Sequence, residues 1–148
     1  MPGGRTLYAA YGSNWNQEQM NNRCPEATVV GVGELPGWRL LFARWADIEP
    51  DTAASVPVLL WWLTPGDEAS LDGYEGVPTS YLKSPVSVLL NGEVVAAMAY
   101  VMAPGARERF GAESGMAPPP EYLERIVTGY RDFGLDAATL YAVATAAN

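Results

Sequence analysis

The chain of 148 residues contains no histidine and one cysteine, Cys24. Without an imidazole, Ser-His and Cys-His nucleophilic mechanisms are excluded, as are zinc sites built on histidine. A single thiol excludes an intramolecular disulfide and fits a reducing compartment. To react as a thiolate, Cys24 would need an electropositive neighbour, and Arg23 is the local candidate. Basic residues are also scarce: 9 Lys and Arg stand against 17 Asp and Glu, for a net charge of −8. They are scattered singly apart from the Arg107/Arg109 pair, so no basic stripe tracks phosphates and nucleic acid is not an expected partner. The acidic surplus serves solubility. No apolar run approaches the ~20 residues of a membrane-spanning helix, and the stretch from Met1 to Arg5 lacks the apolar segment of an export signal. A cytoplasmic protein with no membrane partner is expected.

Cofactor motifs are missing as well. There is no Gly-Lys-Ser/Thr phosphate loop and no dinucleotide fingerprint. Asp47, Glu49 and Asp51 alternate closely, but they lack the glycine and distal carboxylate of a calcium loop and read as a solvated loop. Neither a metal nor a cofactor is expected, which leaves a carboxylate, hydroxyls and backbone amides to carry any chemistry.

What is present is the composition of a folded protein, 49% hydrophobic and 18% charged, with eight tyrosines and five tryptophans for its core. The length fits one domain spanning residues 1–148. Leu7 to Tyr11 reads as a strand ended by Gly12-Ser13-Asn14, with Ser13 or Asn14 as cap of a short helix over Gln17 to Arg23. From Ala27 to Ala46 the pattern is β-like; Gly31 and Gly33 mark a bulged strand, and Leu35-Pro36-Gly37 breaks the run. Asp47 to Ser55 is a polar excursion before a buried strand at Val56 to Leu63. Thr64-Pro65-Gly66-Asp67 is a helix start. That helix should run to about Tyr74, turn Leu71 and Tyr74 to the core, and end at Gly76 in the left-handed conformation. Tyr81 to Leu90 and Glu93 to Met102 flank the hairpin turn Asn91-Gly92. Ala103 to Pro120 reads as a long loop. Helical spacing returns at Tyr122, Ile126, Val127, Tyr130 and Phe133, with Gly134 as terminator and Asp136 capping a final helix. Strands, one short inserted helix and C-terminal helices predict an α+β fold on a mixed, curled, barrel-like sheet rather than a doubly wound one.

Two segments carry chemistry. Gly-Ser-Asn after a strand is, taken alone, most often a plain turn. Yet a glycine lets backbone approach a ligand, and successive N–H groups at Tyr11-Gly12-Ser13-Asn14 can form a nest for a carboxylate or an oxyanion. Glu75 reads equally as a solvated helix end. At the negative pole of a helix dipole, with Asp72 three residues back, its ionised form is disfavoured, and a raised pKa suits a carboxyl general base. Most aromatics are core; Tyr81 and Tyr122 are the two placed to bond a polar substrate group.

In order and spacing, Tyr8 to Asn14, Arg23-Cys24-Pro25, Gly31 to Phe42, Leu71-Asp72-Gly73-Tyr74-Glu75-Gly76-Val77, Tyr81 and Pro120-Glu121-Tyr122 resemble the γ-glutamylcyclotransferase-like (AIG2-like, or BtrG-like) family. The resemblance implies a small barrel-like fold and Glu75 as acid/base. The implied reaction has the α-amine of a small γ-glutamyl substrate attack its own γ-carbonyl, releasing 5-oxoproline and a free amine or amino acid without cofactor. Tyr11, Gly12, Ser13, Asn14, Tyr81 and Tyr122 would bind the substrate. Trp15, where the family has an aliphatic residue, and the Ala103–Pro120 loop both fall where the leaving group would be recognised. A biosynthetic enzyme removing a γ-glutamyl protecting group is a variant of this reading; a non-catalytic protein holding a small anionic metabolite is its rival. The sequence leaves monomer and homodimer open.

Overall fold

A computed structural model describes residues 4–147. Five strands, β1 (Thr6–Ala10), β2 (Thr28–Ala43), β3 (Trp45–Leu63), β4 (Tyr81–Leu90) and β5 (Glu93–Met102), close a barrel in the order β1-β3-β2-β4-β5. All pairings are antiparallel except β1 with β5, which run parallel and meet at Tyr8 and Met98. Inward-facing Leu35, Val58, Leu60 and Val88, all fully buried, fill the barrel. At the crossing of β2 and β4, a Cβ on Gly33 would stand 2.7 Å from Val88, so only glycine permits the approach.

Turn chemistry follows the local rules. Asn91 and Gly92 both take positive φ, 51° and 83°, as the two-residue hairpin requires. β2 is bulged between Val29 and Gly31 as its glycines predict. The Leu35-Pro36-Gly37 segment does not break the strand: the ladder shifts register between Pro36 and Trp38 and continues. The polar excursion over 47–55 is strand rather than loop, and it is buried at its start, while Pro50, Thr52, Ala53 and Ser55 are exposed. β3 begins at Trp45, and Asp47 is fully buried, accepting from the Met102 amide at 3.0 Å and from Arg107 at 2.6 Å. Polar composition misled here because these carboxylates have specific cationic and amide partners, which a one-dimensional pattern does not reveal.

Five helices decorate the barrel: α1 (Gln17–Arg23), α2 (Pro65–Glu75), α3 (Ala106–Ser114), α4 (Pro120–Asp132) and α5 (Ala138–Ala146). α1 is capped by Asn16, whose Oδ1 accepts the Gln19 amide at 3.0 Å, rather than by Ser13 or Asn14, which lie in a 3-10 turn (Ser13–Trp15). α3 occupies the middle of the segment read as a loop. Its apolar contacts are two, Ala106 fully buried and Phe110 packed on the core, too few for a sequence stripe, and it is held also through Arg107, which reaches Asp47 and Glu49 on β3. Among the described residues no helix is long and apolar enough to cross a membrane.

α4 packs on the 3-10 turn by backbone approach. Trp15 is fully buried with its ring 4.7 Å from Tyr130, and a Cβ on Gly129 would fall 2.4 Å from the Trp15 carbonyl oxygen. Gly129→Ala is therefore expected to destabilise the protein by about 1–3 kcal/mol despite alanine's better helix propensity. A lowered urea midpoint at unchanged m-value is the expected readout; a midpoint that rises would place the helix further from the turn.

Candidate active site

The barrel's mouth opens into a cavity of about 410 Å³ whose lining includes the Gly12–Asn14 turn, Glu75, Tyr81 and Tyr122. Segments more than sixty positions apart in sequence thus meet around one space. β1 delivers the turn, since Tyr8 to Tyr11 are buried along the strand and the Trp15 and Asn16 amides fold back onto the Gly12 and Ser13 carbonyls. The amides of Gly12, Ser13 and Asn14 are left without an acceptor among the described residues. A Cβ on Gly12 would lie 3.1 Å from the Ala46 Cβ and 3.4 Å from the Tyr122 hydroxyl, so glycine is what lets the turn seat against β3 and α4.

α2 delivers Glu75. Thr64 caps the helix by accepting the Asp67 amide at 3.1 Å, and Gly76 ends it at φ 68°. The last turn is fastened to the barrel through Asp72, which accepts from the Tyr100 hydroxyl and from Lys83 Nζ, at 2.7 and 2.9 Å. The Glu75 carboxyl is pushed up to about 7, and the cause is burial, with Arg23 acting weakly in the opposite direction. The expectation of a raised pKa thus holds for a different reason than helix dipole and Asp72, because Asp72 is engaged by Tyr100 and Lys83. Tyr74 does not face the core; it is 60% exposed and carries Arg23 over its ring at 4.8 Å.

Asn14 ties the two halves together. Its Nδ2 donates to the Tyr8 hydroxyl at 2.9 Å and lies 3.5 Å from Glu75 Oε1. Its Oδ1 accepts from Gln19 and Arg23 at 3.0 and 3.3 Å, and its carbonyl accepts from the Trp61 indole at 3.2 Å. An amide locked by so many partners presents its NH₂ toward the carboxyl in one orientation. Tyr8, Gln19 and Arg23 were not singled out as site residues in the sequence; Tyr8 and Arg23 stood only as parts of the motifs that carry the resemblance, and Gln19 gave no signal.

The two tyrosines both bond the backbone of Ala46. Tyr81 donates to the Ala46 carbonyl at 2.7 Å, and Tyr122 accepts the Ala46 amide at 3.0 Å. Tyr81 has thereby used its proton and keeps lone pairs, whereas Tyr122 keeps a proton to donate. Tyr11 donates to the Tyr100 carbonyl. Burial holds the hydroxyls of Tyr8, Tyr11, Tyr81 and Tyr122 above the usual phenol range, so these are neutral hydrogen-bonding groups and not bases. Cys24 is buried outside the cavity lining, and its thiol is pushed up to about 11 by burial and then by Asp67. Trp15 is a core side chain and does not line the cavity, so it cannot recognise a leaving group directly. α3 does reach the cavity, through Phe110.

A barrel of this topology, with a strand-end turn facing a carboxyl at a helix end, defines a class of small cavity-bearing proteins. The sequence profile described as gamma-glutamyl cyclotransferase, AIG2-like matches residues 8–119, and the chain belongs to that family. A solved structure described as a gamma-glutamyl cyclotransferase is 24% identical at a TM-score of 0.79, covering 94% of this chain and 86% of that one. A human protein described as uncharacterized protein loc79017 is 25% identical at the same TM-score of 0.79 and the same coverage, 94% and 86%. YkqA from Bacillus subtilis, 19% identical at a TM-score of 0.78, is covered over 55% of its length by 97% of this chain. No curated protein matches the chain at a significant level.

Proposed function

We propose that the protein is a γ-glutamyl cyclotransferase acting on a γ-glutamyl amino acid or amine. The observation that carries this reading is a part-buried, desolvated carboxyl of pKa about 7 lining one cavity with acceptor-free backbone amides. The substrate's α-ammonium gives a proton to the Glu75 carboxylate, and the freed amine attacks the γ-carbonyl carbon. A carbon–nitrogen bond forms, and the carbonyl oxygen becomes an oxyanion. Amides of the Gly12–Asn14 turn stabilise that charge or hold the α-carboxylate; losing one such donor costs about 3–4 kcal/mol in enzymes that use them. Glu75 then returns its proton to the departing nitrogen as the old carbon–nitrogen bond breaks, releasing the amine. The ring nitrogen, cationic since the attack, loses its second proton, which the released amine takes up as it becomes an ammonium, leaving a neutral lactam nitrogen in 5-oxoproline. Glu75 ends in the form in which it began. Holding amine and carbonyl together supplies an orientation advantage that reaches about 7–11 kcal/mol in favourable intramolecular reactions.

Because the base must start ionised, kcat/KM is expected to climb with pH, level off above about 7 and show a slope of one below it. A flat profile through that range is incompatible with Glu75 as the proton acceptor. The direct test assays 5-oxoproline from a panel of γ-glutamyl amino acids and amines with the parent protein and Glu75→Gln. Product from none of them would favour the rival reading of a binding protein.

A further inference from the structure

We propose that Gln19, on α1, is a positioning residue of the site: it fixes which end of the Asn14 amide faces the Glu75 carboxyl. An amide side chain carries a donor and an acceptor of nearly the same shape, so its partners decide its orientation. Here the order of donors and acceptors starts from two arginines, which donate and cannot accept. Arg125 Nη1 lies 3.4 Å from Gln19 Oε1. That contact turns the Gln19 NH₂ inward, where Nε2 donates to Ser13 Oγ at 2.7 Å and to Asn14 Oδ1 at 3.0 Å. Arg23 donates to the same Asn14 oxygen at 3.3 Å. With Oδ1 taken by donors, Nδ2 is left for the other side, toward the Tyr8 hydroxyl at 2.9 Å and Glu75 Oε1 at 3.5 Å. Gln19 does not itself line the cavity, so it acts on the carboxyl through Asn14.

An NH₂ facing a carboxyl favours its ionised form, whereas an amide oxygen in the same place disfavours it. The other groups around Glu75 do not reverse in this way. Arg23 on α1 is the cation that acts on it. Tyr8 and Tyr11 on β1, Tyr81 on β4, Tyr100 on β5 and Tyr122 on α4 share the cavity as neutral phenols. Asp47 on β3 is paired with Arg107, and Asp72 on α2 with Lys83. Arg125 on α4 is bonded to Gln19, and substitution of Gln19 leaves its charge in place. That the orientation bears on turnover rests on the cyclotransferase reading; the orientation itself does not.

The test follows the Glu75 side-chain carboxyl against pH, by NMR of protein labelled at carboxyl carbons, in the parent, Gln19→Glu and Gln19→Met. The pH profile of kcat/KM for 5-oxoproline release is measured beside it. In Gln19→Glu the new carboxylate accepts and cannot donate, so Asn14 turns its NH₂ outward and sets Oδ1 against Glu75. The midpoint, about 7 in the parent, should then rise by about one pH unit. The acid limb of kcat/KM should move with it, while the alkaline plateau changes little. Gln19→Met removes the donor without adding charge and should give a smaller rise of the same sign. A rise in Gln19→Glu with none in Gln19→Met means that added charge, not amide orientation, moved the carboxyl, and overturns the proposal. Unmoved midpoints in both variants also overturn it, and a lowered plateau would then mark Gln19 as merely structural. If none of the proteins releases 5-oxoproline, the cyclotransferase reading fails, while the carboxyl midpoints still decide the orientation.

Discussion

Glu75→Gln is expected, on the proposed mechanism, to lower kcat/KM for 5-oxoproline release by about 10²–10⁴-fold, the usual loss when a positioned acid/base is removed, and at the same time to make the protein more stable above neutral pH. The first effect follows because glutamine keeps the shape and the contact with Asn14 but can neither take the proton from the substrate's ammonium nor give one to the departing nitrogen. The second follows from linkage. The folded carboxyl titrates at about 7 and the unfolded one at 4.5. Below the lower value both states are protonated, and stability is undiminished. As pH rises between the two, the unfolded chain releases a proton that the folded protein retains, so unfolding gains. Above the upper value the deficit levels off at about 3 kcal/mol, from the free-energy equivalent of a pKa unit. Glutamine carries no such deficit. The variant's melting temperature should exceed the parent's by roughly 6–12 °C at alkaline pH, and the two should converge in acid. Full activity in the variant would remove Glu75 from the mechanism, and coincident pH–stability curves would mean that the carboxyl is not desolvated. A side chain that costs stability and carries activity is what a catalytic site is expected to contain.

Arg107→Met has the largest expected effect on the fold, a loss of about 2–3 kcal/mol. Arg107 donates to both Asp47 and Glu49, and Asp47 is fully buried on β3. Removing the guanidinium leaves that carboxylate with the Met102 amide as its remaining donor. Breaking a fully buried pair costs about 3–5 kcal/mol; the Arg107 side chain is 34% exposed, and solvent screening reduces the figure. Asp47→Asn in the Arg107→Met background should restore part of the loss, because the orphaned charge is gone while the acceptor for Met102 is kept. A urea-denaturation cycle over the four proteins measures this coupling. No recovery in the double variant would mean that Arg107 acts by packing and not by charge. Because Arg107 also anchors α3, which supplies Phe110 to the cavity, a raised KM should accompany the loss of stability.

The elements legible in the sequence were those specified by neighbours along the chain. The hairpin at Asn91-Gly92 needs two residues tolerant of positive φ between apolar runs, and both conditions are local. The Thr64 cap, the Gly76 stop and the strand leading into Gly12-Ser13-Asn14 are local in the same way. What failed to read correctly depended on partners far off. The polar run at Asp47 is strand because Arg107 and the Met102 amide satisfy its buried carboxylate from 60 and 55 positions away. α3 showed little apolar periodicity because only Ala106 and Phe110 pack on the core and an ion pair from Arg107 adds to their hold.

By itself, the sequence determined that histidine chemistry and an intramolecular disulfide were unavailable from its own side chains, that Glu75 ends a helix, and that a glycine-bearing turn follows the first strand. Composition and short-range sterics decide such things, and both are properties of the chain. That Glu75 titrates near neutrality was decided by the tertiary structure, since desolvation depends on everything packed around a group. Only the closed barrel brings Asn14 to within 3.5 Å of that carboxyl and turns Tyr81 and Tyr122 onto Ala46. Distances across a barrel are set by strand register and closure, which no local segment encodes.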